Sequence, residues 1–103
     1  MSPRSSAQSG IEVFTFEWDD AKAASNLKKH GVSFDEAASV FGDDNALTFA
    51  DTDNSENEDR SRTFGYSSNS RLLVVVHTER RSGVRIISAR MATRYEKTIY
   101  EQS

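Results

Sequence analysis

Leu72-Leu-Val-Val-Val76 is an unbroken run of β-prone apolar residues, and its reading decides the fold. A strand that is apolar at every position has to be covered on both faces, so this run predicts the centre of a sheet. Turn-forming residues bound it: Ser67-Ser-Asn-Ser70 before it and Arg80-Arg-Ser-Gly83 after it. Beyond those turns lie a weaker strand, Arg60–Tyr66, and a further one, Val84-Arg-Ile-Ile-Ser-Ala89. Turns this short join antiparallel neighbours. Ala46–Ala50 reads as one more strand, separated from Arg60 by the polar, acidic loop Asp51–Asp59.

Upstream the pattern turns helical. After Val13-Phe-Thr-Phe16, which alternates weakly and reads as a short strand, a helix over about Asp19–His30 is predicted by acids at its start, Lys28 and Lys29 near its end, and Gly31 as a stop. Ser33-Phe-Asp-Glu36 has the form of a capping box, and Phe34, Ala37, Ala38 and Phe41 follow at the spacing of one buried helical stripe. Thr93-Arg-Tyr-Glu96 is a second capping box, opening a terminal helix that runs through Gln102. Helices segregated from a run of strands give an α+β class: an antiparallel sheet of about four strands with two N-terminal helices and one C-terminal helix.

At 103 residues the chain fits one domain, placed at 13–103 behind a small, polar tail over 1–12 that is expected to be disordered. There is no cysteine, and His30 and His77 are the two histidines, so neither a disulfide nor a metal site is expected, and no cofactor is implied. No apolar run reaches the length of a membrane span, and the first residues lack the apolar stretch of a signal peptide. A cytoplasmic protein without membrane contact is the expectation.

The net charge of −3 hides a strong asymmetry. Residues 43–59 carry seven acids and no base, whereas residues 60–94 carry eight arginines and one acid, Glu79. Positive charge gathered on one part of a small domain suits a phosphate-rich partner even when the total is acidic. Two oppositely charged solvated faces are the plainer explanation.

The order and spacing of several short pieces are similar to the BrnT family of toxins. They are Phe16-Glu-Trp-Asp19, Lys22, Asn26, Lys29-His-Gly-Val-Ser-Phe34, Ala46-Leu-Thr-Phe49, Asp59-Arg60 and Gly65, followed by the Leu72–Thr78 strand, Arg85-Ile-Ile-Ser-Ala-Arg90, Ala92-Thr93, Glu96 and Tyr100. The resemblance covers about residues 14–101. It implies a RelE-like fold and an endoribonuclease toxin that inhibits translation. It also implies a cognate antitoxin of the BrnA type, with a ribbon-helix-helix domain through which operator DNA is reached. The chain departs from the family pattern at Ser61, Arg62, Thr63, Met91 and Tyr95: an aromatic residue is usual at the first, aliphatic residues at the next two, and basic residues at the last two. A degenerate toxin that binds its antitoxin and co-represses without cutting RNA is therefore the alternative.

RNA can be cut without a metal when its 2′-hydroxyl attacks the adjacent phosphorus. This takes a base, an acid and cations for the developing charge. His30 is the first candidate because histidine titrates near neutral pH; its plainer role is to cap the preceding helix. Arg60, Arg80, Arg85 and Arg90 are candidates for phosphate. Strict alternation puts Arg85 and Arg90 on opposite faces of an ideal strand, which a bulge or strand end near Arg90 would change; Arg85 is expected in an ion pair with Glu58 or Asp59 and Arg90 at the RNA. Glu58 is either a general base or an arginine's partner. Lys22 and Lys29, seven apart on one helix face, suit the RNA backbone, and Tyr100 could stack on a base. His77, ending an apolar strand, reads as a hydrogen-bonded core histidine.

Overall fold

The computed structural model describes residues 15–51 and 60–103. Its elements are β1 (Phe16–Glu17), α1 (Asp20–His30), α2 (Phe34–Ser39), a single 3₁₀ turn (Val40–Gly42), β2 (Leu47–Ala50), β3 (Arg60–Tyr66), β4 (Leu72–Arg80), β5 (Gly83–Met91) and α3 (Arg94–Glu101). The tail over 1–12, Val13 and Phe14, and the loop with Glu58 and Asp59 lie outside the described residues.

The five strands form one sheet in the order β1-β5-β4-β3-β2, so the Leu72 run is its centre. Pairing is antiparallel throughout except at the β1 edge, where Phe16 and Glu17 run parallel to Val84 and Arg85. The sheet is thus five-stranded and mixed, where about four antiparallel strands were expected. The short strand read at Val13–Phe16 falls in part on β1; its parallel partner β5 lies too far along the chain for spacing to predict. Gly83 makes this edge possible: its φ is +134°, and a Cβ built there would lie 2.0 Å from the carbonyl oxygen of Thr15.

The helix termini follow their capping signals. Asp19 accepts the amide of Lys22, and Gly31, at φ 70°, closes α1 by donating its N–H to the Leu27 carbonyl. Ser33 accepts the amide of Glu36, but the Glu36 carboxylate turns away from the expected box and takes the Arg71 guanidinium and the Ser67 hydroxyl instead. Arg71 also donates to the Gly31 carbonyl, tying the end of α1 to α2 and to the β3–β4 turn. At Thr93 both halves of the box form.

α1 and α2 pack on one face of the sheet over Val32, Phe34, Ala37, Val40, Leu73, Val75, Ile86 and Ala89, each at most 1% exposed. Burial of a large apolar side chain contributes about 1.5–3 kcal/mol, so this layer holds the domain together. His77 belongs to the same layer, edge-on to Phe41, with its Nε2 2.7 Å from the Thr63 hydroxyl. Its Nδ1 is buried without a hydrogen bond, and burial holds its pKa below 6.5 against the opposing charge of Glu79. α3 lies on the opposite face.

Candidate functional site

The register of β5 decides what that opposite face presents. Val76 pairs with Ser88 and His77 pairs with Ile86, leaving Ile87 as an extra residue, a β-bulge. Paired residues in antiparallel strands point to the same side. Val74 and Arg90 therefore share a face with Thr78 and Arg85, since Val74, Val76 and Thr78 alternate regularly along β4. The bulge is the exception to strict alternation that brings Arg85 and Arg90 to one face. Arg60, opposite Thr78, and Arg62, opposite Val76, point the same way, as does Arg80 two residues beyond Thr78. Five arginines thus occupy one face. Arg62, noted from sequence only as a departure from the family pattern, was not among the phosphate candidates, because Arg60–Tyr66 is a weak pattern whose inward and outward positions are hard to tell apart.

Most of these guanidinium groups meet carboxylates. Arg85 lies 3.8 Å from Glu17, the partner that replaces the expected Glu58 or Asp59. Arg62 lies 3.6 Å from Asp51 through Nε. Arg90 forks onto Glu96, with bonds of 2.8 and 2.9 Å. The Arg90 hydrogen bonds, helped by the Thr93 amide, outweigh burial and hold Glu96 at about 2. Arg90 is in this way built into the start of α3. Arg80, exposed at the β4–β5 turn, makes no hydrogen bond or ion pair within the described residues.

Lys22, Lys29 and His30 come together on the other side of β5. With Ser25 and Asn26 of α1 and Ile87 and Ser88 of β5 they line an open groove of about 250 Å³. His30 is exposed and makes no hydrogen bond within the described residues; the capping role is filled by Gly31. Ser88 joins the two regions, lining the groove while belonging by register to the arginine face. Asn26, buried at the groove floor, donates to the carbonyls of Val32 and Ala89 and accepts the Ala89 amide.

Tyr100 stands apart from both. Its hydroxyl donates to Asp43 at 2.6 Å, which pushes its pKa up to about 12, and its ring packs edge-on against Tyr66. Burial works against the Asp43 charge, but bonds from Tyr100, Tyr66 and Asn45 prevail and lower its pKa. Tyr100 thus fastens the end of α3.

The family model for BrnT, ribonuclease toxin of type II toxin–antitoxin systems, matches residues 18–96. The chain belongs to the BrnT family. The fold agrees: the 1.1 Å crystal structure of the Brucella abortus ribonuclease toxin BrnT is similar at TM-score 0.60 and 22% identity, covering 80% of this chain and 100% of that one. No curated protein matches. As a type II toxin the BrnT-family chain implies a cognate antitoxin. No helix among the described residues is long and apolar enough to cross a membrane.

Proposed function

We propose that this BrnT-family chain cleaves RNA without a metal, inhibits translation, and is neutralised by a cognate BrnA-like ribbon-helix-helix antitoxin that also carries it to operator DNA. The observation that carries the RNA reading is the Ile87 bulge, which gathers Arg60, Arg62, Arg80, Arg85 and Arg90 on one sheet face. Guanidinium groups stay charged at any working pH and bind phosphate oxygens in pairs, so this face offers a track for the RNA backbone. Ser88 links the track to the groove of Lys22, Lys29 and His30. In that groove a neutral imidazole can take the 2′-hydroxyl proton as oxygen attacks phosphorus, or an imidazolium can protonate the departing 5′-oxygen. The products are a 2′,3′-cyclic phosphate and a 5′-hydroxyl. Lys22, Lys29 and the arginines offset the charge that develops on the phosphate.

The pairing of Arg62, Arg85 and Arg90 with Asp51, Glu17 and Glu96 favours the second reading, a degenerate toxin that binds antitoxin and co-represses. One experiment separates the two. Inducible expression in a bacterium, with and without the antitoxin, is followed by RNA integrity on a gel. Growth arrest with RNA loss, reversed by the antitoxin, is the expected result. Normal growth and intact RNA at confirmed expression of folded protein would leave the co-repressor reading.

A further inference from the structure

Between α3 and the β2–β3 end of the arginine face lies a second groove, of about 300 Å³. Its floor is Phe64, 4% exposed, and its walls are Phe49, Tyr95 and Ile99. Two features are unusual for an ordinary packing seam. Tyr95 is 73% exposed and Phe49 43%, so both rings present area to solvent. Phe49 is held edge-on to Phe64 at 5.3 Å, which fixes its ring without covering it. The rest of the lining is charged: Arg62, whose buried Nε lies 3.6 Å from Asp51 and whose terminal nitrogens make no hydrogen bond among the described residues, and Glu96, whose carboxylate is held by Arg90.

We infer that this groove is a nucleobase subsite, in which an unpaired base of single-stranded RNA stacks between Tyr95 and Phe49 while the Arg62 tip meets the base edge or its phosphate. The inference rests on the RNA reading above and deepens it. Base stacking on aromatic rings beside a cationic backbone track is how proteins hold single-stranded RNA, because every base has a π-face and every nucleotide a charge. Register places Arg62 and Phe49 opposite one another on the arginine face, so the aromatic walls and the phosphate track are one surface. An apolar protein side chain would meet the rings but not the terminal nitrogens of Arg62, which the Asp51 contact at Nε leaves open; with Glu96 already neutralised by Arg90, a nucleotide meets both, and that charge complementarity decides between the occupants. The chain thus combines an arginine track with a stacking platform at its end.

The test uses the full chain and a fluorescein-labelled single-stranded 2′-O-methyl oligoribonucleotide of mixed sequence, which lacks the attacking hydroxyl and remains intact. Fluorescence anisotropy is read across a salt series for wild type, Tyr95→Ala, Phe49→Ala, Tyr95→Trp and Arg85→Ala, with thermal melts to establish folding. Tyr95→Ala and Phe49→Ala are each expected to weaken binding about tenfold at unchanged salt slope, since a stacked base is lost and no phosphate contact is. Tyr95→Trp is expected to keep wild-type affinity. Arg85→Ala is expected to weaken binding and reduce the salt slope by about one. If Arg85→Ala behaves so while both alanine variants bind like wild type, the subsite is wrong and the RNA face stands. If wild type does not bind the probe, both fall. If the aromatic variants lose antitoxin binding and keep RNA affinity, the groove is a protein-docking site and the proposal is overturned.

Discussion

Arg85 and Arg90 point to the same side of β5 although five positions separate them, because the Ile87 bulge takes up one residue between them. The two can therefore act on one polyanion. Arg85 is the cleaner residue to test. Its Glu17 partner is 3.8 Å away and both side chains are about one-third exposed, a kind of pair worth only about 0–1 kcal/mol. Arg85→Ala is expected to melt close to wild type and to cut RNA about tenfold more slowly, the loss of one charge-assisted phosphate contact. Cleavage at the wild-type rate would remove Arg85 from the RNA track.

Arg90→Ala has a double consequence. The sequence alone suggests lost toxicity with an intact fold, but the fork onto Glu96 makes Arg90 part of the α3 anchor. Removing it is expected to cost about 2 kcal/mol, in the range of hydrogen bonds to charged groups. Adding Glu96→Gln relieves the abandoned carboxylate and preserves a capping-box side chain. The double variant is expected to regain stability in urea titration and to remain inactive. Restored activity together with restored stability would make Arg90 purely structural.

His30→Ala tests the groove of α1. The side chain makes no hydrogen bond within the described residues, so little stability is at stake. A loss of about 100-fold in the single-turnover cleavage rate is expected, the lower end of what a proton-transfer group contributes. A folded variant that cuts normally would place the acid–base chemistry elsewhere.

Stability should fall in acid in two stages. Glu36 and Glu96 titrate near 4.5 when unfolded and at about 2 when folded. Between those values the unfolded chain binds more protons, so their stabilisation is complete above 4.5 and is lost as pH falls towards 2. His77 has its folded pKa depressed below 6.5 by burial, so its contribution is complete above 6.5 and begins to fade as pH drops below that value. Urea midpoints against pH should decline first below 6.5, with a slope of at most about 1.4 kcal/mol per pH unit for this one proton. His77→Gln should flatten that first stage and leave the second. An unchanged first stage would assign it to another group.

Gly83→Ala should detach β1. The new Cβ meets the Thr15 carbonyl at 2.0 Å on a backbone that L side chains rarely adopt. A cost of about 1–3 kcal/mol is expected. Trp18, the sole tryptophan, packs edge-on against Phe34 just after β1, so its emission should shift to the red. An unshifted spectrum at unchanged stability would show that the edge tolerates a side chain.

What was legible in the sequence was local and periodic. The caps at Asp19, Ser33 and Thr93, the glycine stop at Gly31 and the central Leu72 strand each announce themselves within a few residues. Relations over distance were not legible. The parallel pairing of Phe16 with Val84, the turning of Glu36 to Arg71, and the threefold use of Asn26 join segments that sequence spacing does not relate. The bulge was open as a possibility but not fixed in place, because Arg85-Ile-Ile-Ser-Ala-Arg90 contains no glycine to mark it. The same blind spot kept the arginine face from view, since its membership depends on a parity change at Ile87.

The Asn26 amide has a consequence for self-association. By taking both the N–H and the C=O of Ala89, it fills the place that a neighbouring chain's backbone would need along the outer side of β5. β1 covers that same side at Val84 and Arg85, and is itself only two residues long. The opposite margin, β2, is four residues long and ends at the buried Asp51. Short strands make poor templates for runaway pairing. Among the described residues, strand-to-strand assembly has only short edges to use, at Phe16–Glu17 and Leu47–Ala50, which disfavours open-ended fibres.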